Sequence, residues 1–250
     1  MPVNPDNSQA YFSISNLKKS WNNPPFSLVF NAEIEKGKTL GILGKSGSGK
    51  STVLQIASGL MKEDKSQNQE ESLKIMLDGR EISNLPPAKR EIGMVFQTSA
   101  LFPHLTVLDN VAYGLRFSKE VKKLSKKEAR EMAFEFLKEF EMEEYQSRYP
   151  EGLSGGEAQR VSLARTLILK PKVIFFDEPF SALDKPIRKK LISDILNMQE
   201  KTSFTALFVS HDIEEARLLC DKITVLNKGK QTWTGNAEDF KEEMLEVKSI

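Results

Sequence analysis

An α/β fold, with a parallel sheet covered by helices on both faces, is predicted by three features of this 250-residue sequence. Apolar, strand-like runs alternate with helical patterns through the second half of the chain, as they do in βαβ units. The run VIFF at 173–176 has no polar alternation, which indicates a strand buried on both sides. A glycine-rich loop at 44–52 joins an apolar run to a helical pattern, which is typical of the first turn of such a fold.

The first hundred residues predict five strands and one helix. The strands are bounded by turn-forming stretches such as NNPP and EKGK. The helix is TVLQIASGLM, whose apolar residues recur at i, i+3 and i+4. The polar stretch KEDKSQNQEES predicts a solvated loop. The predicted strands are YFSI, FSLVFNAEI, TLGIL, LKIMLDG and IGMVFQ.

A charged helical segment follows at 118–145. Ser125 and Glu128 are spaced as a capping box, and apolar residues then fall on one face, which we expect to pack within its own subdomain. Beyond it, helices alternate with strands. The face consists of Ala129, Met132, Ala133, Phe136, Leu137 and Phe140. The alternating segments are LSGGEAQRVSLARTLIL, KVIFFDEP, KKLISDILNMQ, FTALFVSHD, DIEEARLLC and KITVLNKG.

Composition excludes several classes of protein. The net charge of +1 gives no overall field for nucleic acid, so no nucleic-acid partner is expected. The single cysteine, Cys220, rules out an internal disulfide framework, and we expect it to pack as a small apolar residue. There is no secretory signal and no run of about 18 apolar residues, so we expect a cytosolic protein whose membrane-spanning parts are other chains.

Residues 44–51, GKSGSGKS, match the phosphate-loop pattern G-x-x-x-x-G-K-[ST]. Glycines allow consecutive backbone N–H groups to converge on phosphate oxygens, and the next helix directs its positive end to the same point. We expect Lys50 to reach the β- and γ-phosphates and the Ser51 hydroxyl to ligate Mg²⁺. The simpler alternative is a glycine-rich turn that only caps a helix. The predicted nucleotide-binding residues here are Gly44, Lys45, Ser46, Gly47, Ser48, Gly49, Lys50, Ser51 and Thr52.

Two adjacent carboxylates end the apolar run at 173–176. A phosphate loop needs a second Mg²⁺ contact, normally an acidic residue at the end of a neighbouring strand. We expect Asp177 to hold the metal through water and Glu178 to polarise the attacking water as general base. An acidic strand end is unremarkable by itself, so this prediction depends on the phosphate loop.

The segment LSGGEAQR at 153–160 combines a helix start with two glycines. Ser154 can cap the helix with Glu157 as its capping-box partner, but that explanation does not require Gly155 and Gly156. Two glycines before a helix start form another anion-binding N-terminus. Only the first helix start has a lysine and a metal ligand, so we expect the second to complete a nucleotide held by another copy of the chain.

The order of these motifs, with a glutamine in GMVFQ, the segment SALD and a histidine in LFVSHD, resembles the ATP-binding subunit of ABC transporters from about residue 11 to 240. The resemblance implies ATP and Mg²⁺ as cofactors. It also implies an α/β P-loop NTPase (RecA-like) core with a parallel sheet, an N-terminal antiparallel β subdomain and an inserted α-helical subdomain. The implied division is a core and β subdomain at about 1–97 and 160–250 and a helical subdomain at about 98–159, as one ABC ATPase domain without a C-terminal regulatory domain.

The resemblance also assigns roles to residues. It implies that Trp21 stacks on adenine, that Gln97 senses Mg²⁺ and water, and that Asp184 links the two sites of a dimer. It implies that Ser154 and Gly156 contact the γ-phosphate held by the opposite subunit, and that His211 contacts the γ-phosphate. Ordinary packing remains the alternative for Trp21, and capping of the helix DIEEARLLC remains the alternative for His211. The predicted catalytic residues are thus Lys50, Gln97, Glu178 and His211, and the predicted metal ligands are Ser51, Gln97 and Asp177.

The function implied is ATP hydrolysis that powers solute transport, with importers of polyamines, iron, thiamine, sugars, molybdate or sulfate as the most similar group. The expected partners are integral-membrane permease subunits, which a groove near residues 97–105 would grip, a second ATPase subunit and, indirectly, a solute-binding protein. The expected location is peripheral, on the inner face of the cytoplasmic membrane.

Two other functions stay open at this point. A soluble relative acting in translation or DNA repair would carry two nucleotide domains or a long coiled-coil insertion. A metabolite phosphotransferase would leave LSGGE unexplained. Copurification with membrane subunits distinguishes the first alternative, and hydrolysis without an acceptor distinguishes the second.

Overall fold

The computed structural model describes residues 10–23, 25–64, 71–117, 124–181 and 183–245. Ten strands and six α-helices occur among them. The strands are β1 Phe12–Asn22, β2 Pro25–Ile34, β3 Thr39–Leu43, β4 Lys74–Leu77, β5 Arg80–Glu81, β6 Ile92–Val95, β7 Val173–Asp177, β8 Thr205–Ser210, β9 Lys222–Asn227 and β10 Lys230–Asn236. The helices are α1 Lys50–Ala57, α2 Val107–Tyr113, α3 Lys126–Lys138, α4 Gly155–Leu167, α5 Lys185–Thr202 and α6 Ile213–Leu219.

The chain forms two compact units, the first made of Met1–Ile92 with Ser203–Ile250 and the second of Gly93–Thr202. The predicted division into a helical subdomain at 98–159 and a core on either side of it stays a prediction. The tip of the loop predicted at 62–72 lies outside the described residues, because 65–70 are not among them.

A parallel sheet forms the centre of the first unit. Strand β3 pairs in parallel with β8 on one side and β9 on the other, and β10 pairs antiparallel with β9. All five residues of β3 are buried, as expected for a strand with neighbours on both edges and cover on both faces. The predicted fold class is thus confirmed.

A four-stranded antiparallel sheet in the order β2-β1-β4-β5 lies in the same unit. Along β2 every second residue is buried, from Leu28 to Ile34, because one face of an antiparallel sheet packs on the core. The outer edge of β2 is bonded to β10, since the Gln231 side-chain amide accepts from the Asn31 N–H at 2.8 Å and donates to the Asn31 carbonyl at 2.9 Å. This amide imitates a strand peptide and covers an otherwise open edge.

Cys220 lies at the end of α6, and its Sγ would be only 2.8 Å from a Cβ placed on Gly41 of β3. Burial raises the pKa of the Cys220 thiol, which leaves it protonated and unreactive. The prediction that this cysteine packs as a small apolar residue is confirmed.

The second unit contains helices α2 to α5 together with β7 and most of β6. The predicted capping box at Ser125 is present, with the Ser125 Oγ accepting from the Glu128 N–H and the Glu128 carboxylate accepting from the Ser125 N–H. Two details of the predicted helix are wrong. It ends at Lys138, because Glu141 takes a left-handed φ of 54° that no helix continues. Met132 is 45% exposed, because the buried stripe is narrow and follows Ala129, Ala133 and Leu137.

Candidate nucleotide-binding site

The phosphate loop leaves β3 at Gly44, and no other residue fits there. A Cβ on Gly44 would lie 2.2 Å from the Leu226 carbonyl oxygen and 2.7 Å from the Ser48 Oγ. The loop crest at Lys45, Ser46 and Gly47 is exposed. Gly47 has a φ of 77°, which glycine adopts without strain.

Helix α1 begins without a side-chain cap. Its N-cap residue Gly49 has a φ of 105°, and the first turn contains Lys50, Ser51 and Thr52. The first N–H groups of a helix have no partner within the helix, and the dipole concentrates positive charge there. The Ser48 Oγ is buried beside this helix start with no hydrogen-bond partner among the described residues. A buried polar atom of this kind next to a helix start fits a site for an anionic ligand.

The Lys50 side chain is folded into the loop and is 4% exposed. Its Nζ donates to the carbonyl oxygens of Gly44, at 2.7 Å, and Lys45, at 3.1 Å. Two backbone carbonyl oxygens therefore hold the Lys50 side chain inside the loop. The arrangement places a positive charge inside the loop, where phosphate oxygens would compensate it.

The predicted base-stacking residue, Trp21, lies in the same unit as the phosphate loop. Trp21 pairs across β1 and β2 with Phe26, and their ring centroids are 5.5 Å apart. Phe26 in turn approaches the helix start, with its Cζ 3.5 Å from the Cβ position of Gly49. The Lys19 Nζ lies 5.9 Å from the Trp21 ring centroid. Phe26 was not predicted as a site residue, because only the strand register brings it next to Trp21.

His211 follows β8 at the same edge of the sheet as the phosphate loop. In the parallel pairing of β3 with β8, Leu43 is opposite Ser210, so Gly44 and His211 are the next residues at the carboxyl ends of the two strands. The cap of α6 is Asp212, whose Oδ1 accepts from the Glu214 N–H at 2.8 Å. The alternative that His211 caps this helix is therefore wrong.

In the second unit, β7 ends at the buried Asp177, and Glu178 follows with a φ of 45°. A left-handed conformation costs a non-glycine residue about 1–2 kcal/mol. The turn is closed by Ser181, whose N–H and Oγ both donate to the Glu178 carbonyl. Strained backbone of this kind persists at sites where a side chain must point in one direction.

The loop that carries Gln97 is exposed and is bonded to α4. The Gln159 Nε2 donates to the Phe96 carbonyl at 3.2 Å, and the Arg165 Nη1 donates to the Ala100 carbonyl at 2.8 Å. Burial lowers the pKa of the Arg165 guanidinium, which still stays charged. The sequence reasoning missed Gln159 and Arg165, because their roles depend on contacts between distant parts of the chain.

Helix α4 starts with the predicted capping box. The Ser154 N–H donates to the Glu157 Oε2 at 2.9 Å, and the Ser154 Oγ accepts from the Glu157 N–H at 3.4 Å. Gly156 is needed for packing, since its Cβ would lie 2.5 Å from the Ile187 Cγ2 of α5. Gly155 is exposed and would meet only Leu183, at 3.7 Å.

Asp184 lies next to this helix start. The Asp184 Oδ1 accepts from the Ile187 N–H at 3.1 Å at the beginning of α5. Ser154, Gly156 and Ile187 line a cavity of about 460 Å³ together with acidic residues and Arg160. The structure thus brings Ser154, Gly155, Gly156 and Asp184 together in the second unit.

A half-buried carboxylate, Asp194 of α5, lies near Arg160 of this cavity. Burial raises the pKa of Asp194, and the nearby charges of Arg160 and Lys190 oppose that shift only in part. The Asp194 Oδ2 and the Arg160 Nε have no hydrogen-bond partner among the described residues.

The predicted metal ligands are divided between the units, with Ser51 in the first and Gln97 and Asp177 in the second. A hydroxyl, an amide and a carboxylate are hard oxygen donors of the kind that Mg²⁺ accepts beside phosphate oxygens. This donor set fits the cation chemically, and the assignment of the three residues stays a prediction. The described residues contain no cluster of three or more His, Cys, Asp or Glu suited to hold a metal without phosphate.

Solved structures similar to the chain are ATP-binding cassettes. A dimeric, post-hydrolysis structure of the ATP-binding cassette MJ0796 with ADP and Pi matches with a TM-score of 0.78 and 32% identity, covering 92% of this chain and 100% of that one. The cbiO1 structure from Clostridium perfringens, described as part of the ABC transporter complex cbiONQ, matches with a TM-score of 0.77 and 29% identity, covering 92% and 90%.

Two relatives in sequence are named as import proteins. A probable sulfate/thiosulfate import ATP-binding protein, CysA of Chlorella vulgaris, is 45% identical over 210 residues, which is 84% of each chain. A spermidine/putrescine import ATP-binding protein, PotA of Haemophilus influenzae, is 38% identical over 240 residues, 96% of this chain and 62% of that one. The chain thus spans less than two thirds of the length of such PotA relatives.

A family model described as ABC transporter matches residues 29–181. The chain belongs to the ABC transporter family and is an ATP-binding domain of that family. The resemblance inferred from the motif order and the predicted P-loop NTPase fold are confirmed, and so is the reading as a transport ATPase in preference to a soluble relative.

Proposed function

We propose that this chain binds and hydrolyses MgATP to power solute import through an ABC transporter, acting as one of two ATPase subunits. The observation that carries this proposal is the phosphate loop at the carboxyl end of β3, with the Lys50 ammonium buried inside it and His211 at the end of the adjacent strand. Trp21 and Phe26 supply an aromatic surface for the base in the same unit.

The chemistry expected is electrostatic. Phosphoryl transfer needs little covalent assistance, so catalysis depends on compensating charge on the β- and γ-phosphates and on orienting water. Lys50 and the N–H groups of α1 compensate charge, and a ring N–H of His211 donates to a γ-phosphate oxygen. Ser51, Gln97 and Asp177 would hold Mg²⁺, which would supply further positive charge for the phosphates. Glu178 accepts a proton from the attacking water as general base.

A second copy of the chain completes the site in this proposal. The helix start of α4 has no lysine of the kind found in the phosphate loop. Gly155 leaves its backbone accessible, and the side chain nearest to it is that of Leu183, the residue before Asp184. We therefore expect Ser154, Gly155 and Gly156 to contact the γ-phosphate held by the partner's phosphate loop.

The membrane partner is expected to dock near the Gln97 loop. An aromatic ladder of Phe102, Tyr113 and Phe117 has ring centroids 4.7 and 5.1 Å apart, and Tyr113 and Phe117 are 40% and 64% exposed. Exposed aromatic groups of this kind mark contact surfaces. Among the described residues no helix is both long and apolar enough to cross a bilayer. Permease subunits would supply the membrane spans and hold this chain on the inner face of the membrane, with a solute-binding protein delivering the solute.

The solute class rests on relatives named for sulfate/thiosulfate and spermidine/putrescine import. The ATPase subunit recognises nucleotide rather than solute in this scheme. Coexpression with the neighbouring permease genes, followed by transport assays with sulfate and spermidine, identifies the solute.

The test of ATP hydrolysis is Glu178→Gln, compared with Glu131→Gln on the exposed face of α3. We expect Glu178→Gln to keep ATP affinity and to lower turnover by about 10²–10⁴, which is the usual contribution of a general base. It should also accumulate an ATP-dependent dimer in sedimentation experiments, because hydrolysis no longer reopens it. Turnover close to that of Glu131→Gln would contradict the proposed role of Glu178.

A further inference from the structure

The turn between β9 and β10 contacts the phosphate loop and β2 at the same time. The Gly229 N–H donates to the Ser48 carbonyl at 3.1 Å, and the Gly229 carbonyl accepts from the Val29 N–H at 2.8 Å. Lys228 and Gly229 have φ values of 45° and 80°, as in a two-residue hairpin turn with both central residues left-handed. Gly229 therefore links two parts of the candidate site, the phosphate loop and the strand that carries Phe26.

The space around Gly229 allows no side chain. A Cβ there would lie 1.9 Å from the Ser27 carbonyl oxygen and 2.8 Å from the Ser27 carbonyl carbon, both of them backbone atoms of β2. The same hairpin reaches the loop through Leu226, whose carbonyl oxygen closely approaches Gly44 and whose Cδ2 lies 3.6 Å from the Cβ position of Gly49. The hairpin thus contacts both ends of the phosphate loop.

The bond to the Ser48 carbonyl determines the direction of another group. A peptide unit is planar and trans, so its C=O and N–H point in opposite directions. The N–H of the Ser48 peptide unit belongs to Gly49, the N-cap residue of α1. Since Gly229 holds the Ser48 carbonyl on one side, the Gly49 N–H must point to the other. Gly47 and Gly49 on either side of Ser48 allow this peptide more than one orientation, so the bond from Gly229 favours one of them.

We infer that Gly229 is a positioning residue for nucleotide binding, which holds the Ser48–Gly49 peptide so that the Gly49 N–H is available to a phosphate oxygen. The N–H and the carbonyl of Gly229 are both bonded to the protein backbone, so its role is to position the peptide. The inference rests on the proposed function, and it adds a residue from the far end of the chain to the binding of the triphosphate. Donors oriented before the ligand arrives bind more tightly than donors that must be ordered on binding.

A second turn in the same unit provides a matched control. Asp78 and Gly79, between β4 and β5, have φ values of 51° and 73°, close to those of Lys228 and Gly229. A Cβ on Gly79 would meet nothing within 4 Å. Gly79→Ala therefore introduces the same backbone strain as Gly229→Ala, without a displaced neighbour and away from the phosphate loop.

The experiment measures the binding of tripolyphosphate, which has no base, and of ATP to the whole chain. We expect Gly229→Ala to weaken both by about tenfold, the value of one net hydrogen bond to the loop. Gly79→Ala should change both by less than about twofold. Trp21→Ala should weaken the binding of ATP and leave the binding of tripolyphosphate unchanged. Tripolyphosphate then reports only on the part of the site that binds phosphate. In ¹⁵N-labelled protein without ligand, the Gly49 amide resonance should shift in Gly229→Ala and not in Gly79→Ala.

A second pair of variants, with smaller structural changes, tests the same inference if Gly229→Ala does not fold. Leu226→Val shortens a fully buried side chain against Gly49, and Leu207→Val makes the same change at a fully buried position in the middle of β8. Weaker tripolyphosphate binding in Leu226→Val alone supports the inference, and equal losses in the two variants overturn it.

Equal losses in Gly229→Ala and Gly79→Ala, or an unchanged affinity in Gly229→Ala, also overturn the inference and leave the proposed function intact. If the wild-type chain binds neither tripolyphosphate nor ATP, the proposed function fails, and the inference fails with it.

Discussion

The two glycine-rich helix starts, at α1 and α4, differ in how their first N–H groups are capped. At α1, Gly49 supplies no side-chain cap and a buried Lys50 lies within the loop. At α4, Ser154 and Glu157 close the helix start with a capping box, and Gly156 is occupied by its contact with Ile187. The helix start of α1 is organised to bind a ligand without residues from another chain. The helix start of α4 is stable without a ligand, and of its two glycines only Gly155 has an exposed backbone. We therefore expect this helix start to bind phosphate weakly unless a partner subunit holds that phosphate.

The largest difference is expected from Lys50→Ala. The buried ammonium is the main positive group of the first helix start, and its removal should lower ATP turnover by about 10²–10³, as loss of a preorganised charge-compensating group does. A steady-state ATPase assay measures this. Lys89→Ala, at an exposed position of the same unit outside the phosphate loop, is the control. A similar loss in both variants would contradict a special role for the buried amine.

A second difference concerns the two glycines of α4. Gly156→Ala must displace Ile187 and should lower stability by about 1–3 kcal/mol, the usual cost of overpacking. Gly155→Ala has room for its methyl group and should leave stability unchanged or slightly raised, since alanine favours the helix. Thermal unfolding of both variants measures this.

Ile187→Ala should restore the stability of Gly156→Ala. Failure of that rescue would show that the contact between α4 and α5 is not the reason for the glycine.

Two capping boxes in the second unit separate stability from binding. Ser154→Ala and Ser125→Ala each remove a cap and should each cost about 1 kcal/mol of stability. Only Ser154→Ala is expected to lower ATP turnover of the dimer as well. Equal turnover in the two variants would mean that Ser154 is a cap and nothing more.

The smallest effect is expected from Asp194→Asn, in α5 near Arg160 of α4. Burial raises the pKa of Asp194 above its unfolded value, so the folded chain binds the proton more tightly and this carboxylate lowers stability as the pH rises through the unfolded pKa. Asn removes the ionisation, so the variant should unfold at a higher temperature than wild type at pH 7. The advantage should shrink as the pH falls towards the unfolded pKa. The facing charges are Arg160, Lys190 and Glu141, and a lower melting temperature at pH 7 would mean that they stabilise the carboxylate more than burial destabilises it.

Local patterns predicted much of this molecule. The phosphate loop, both capping boxes and the buried strand β7 depend on residues close together in the sequence, where spacing determines geometry. The role of Gly156 depends on Ile187, and the roles of Gln159 and Arg165 depend on a loop about 60 residues earlier. The end of α3 depends on the backbone of Glu141. Patterns along the chain contain no information on such contacts, so the residues that hold the candidate site could not be predicted from the sequence.

The left-handed backbone at Glu178 has a consequence for engineering this protein. Glycine at this position would relieve the strain and increase stability, but it would remove the carboxylate proposed as general base. A library selected only for soluble expression or heat resistance should therefore enrich glycine at position 178 and accumulate inactive enzymes. A selection that also requires ATP turnover would retain the glutamate, and the difference between the two libraries would measure how strongly function opposes folding at one residue.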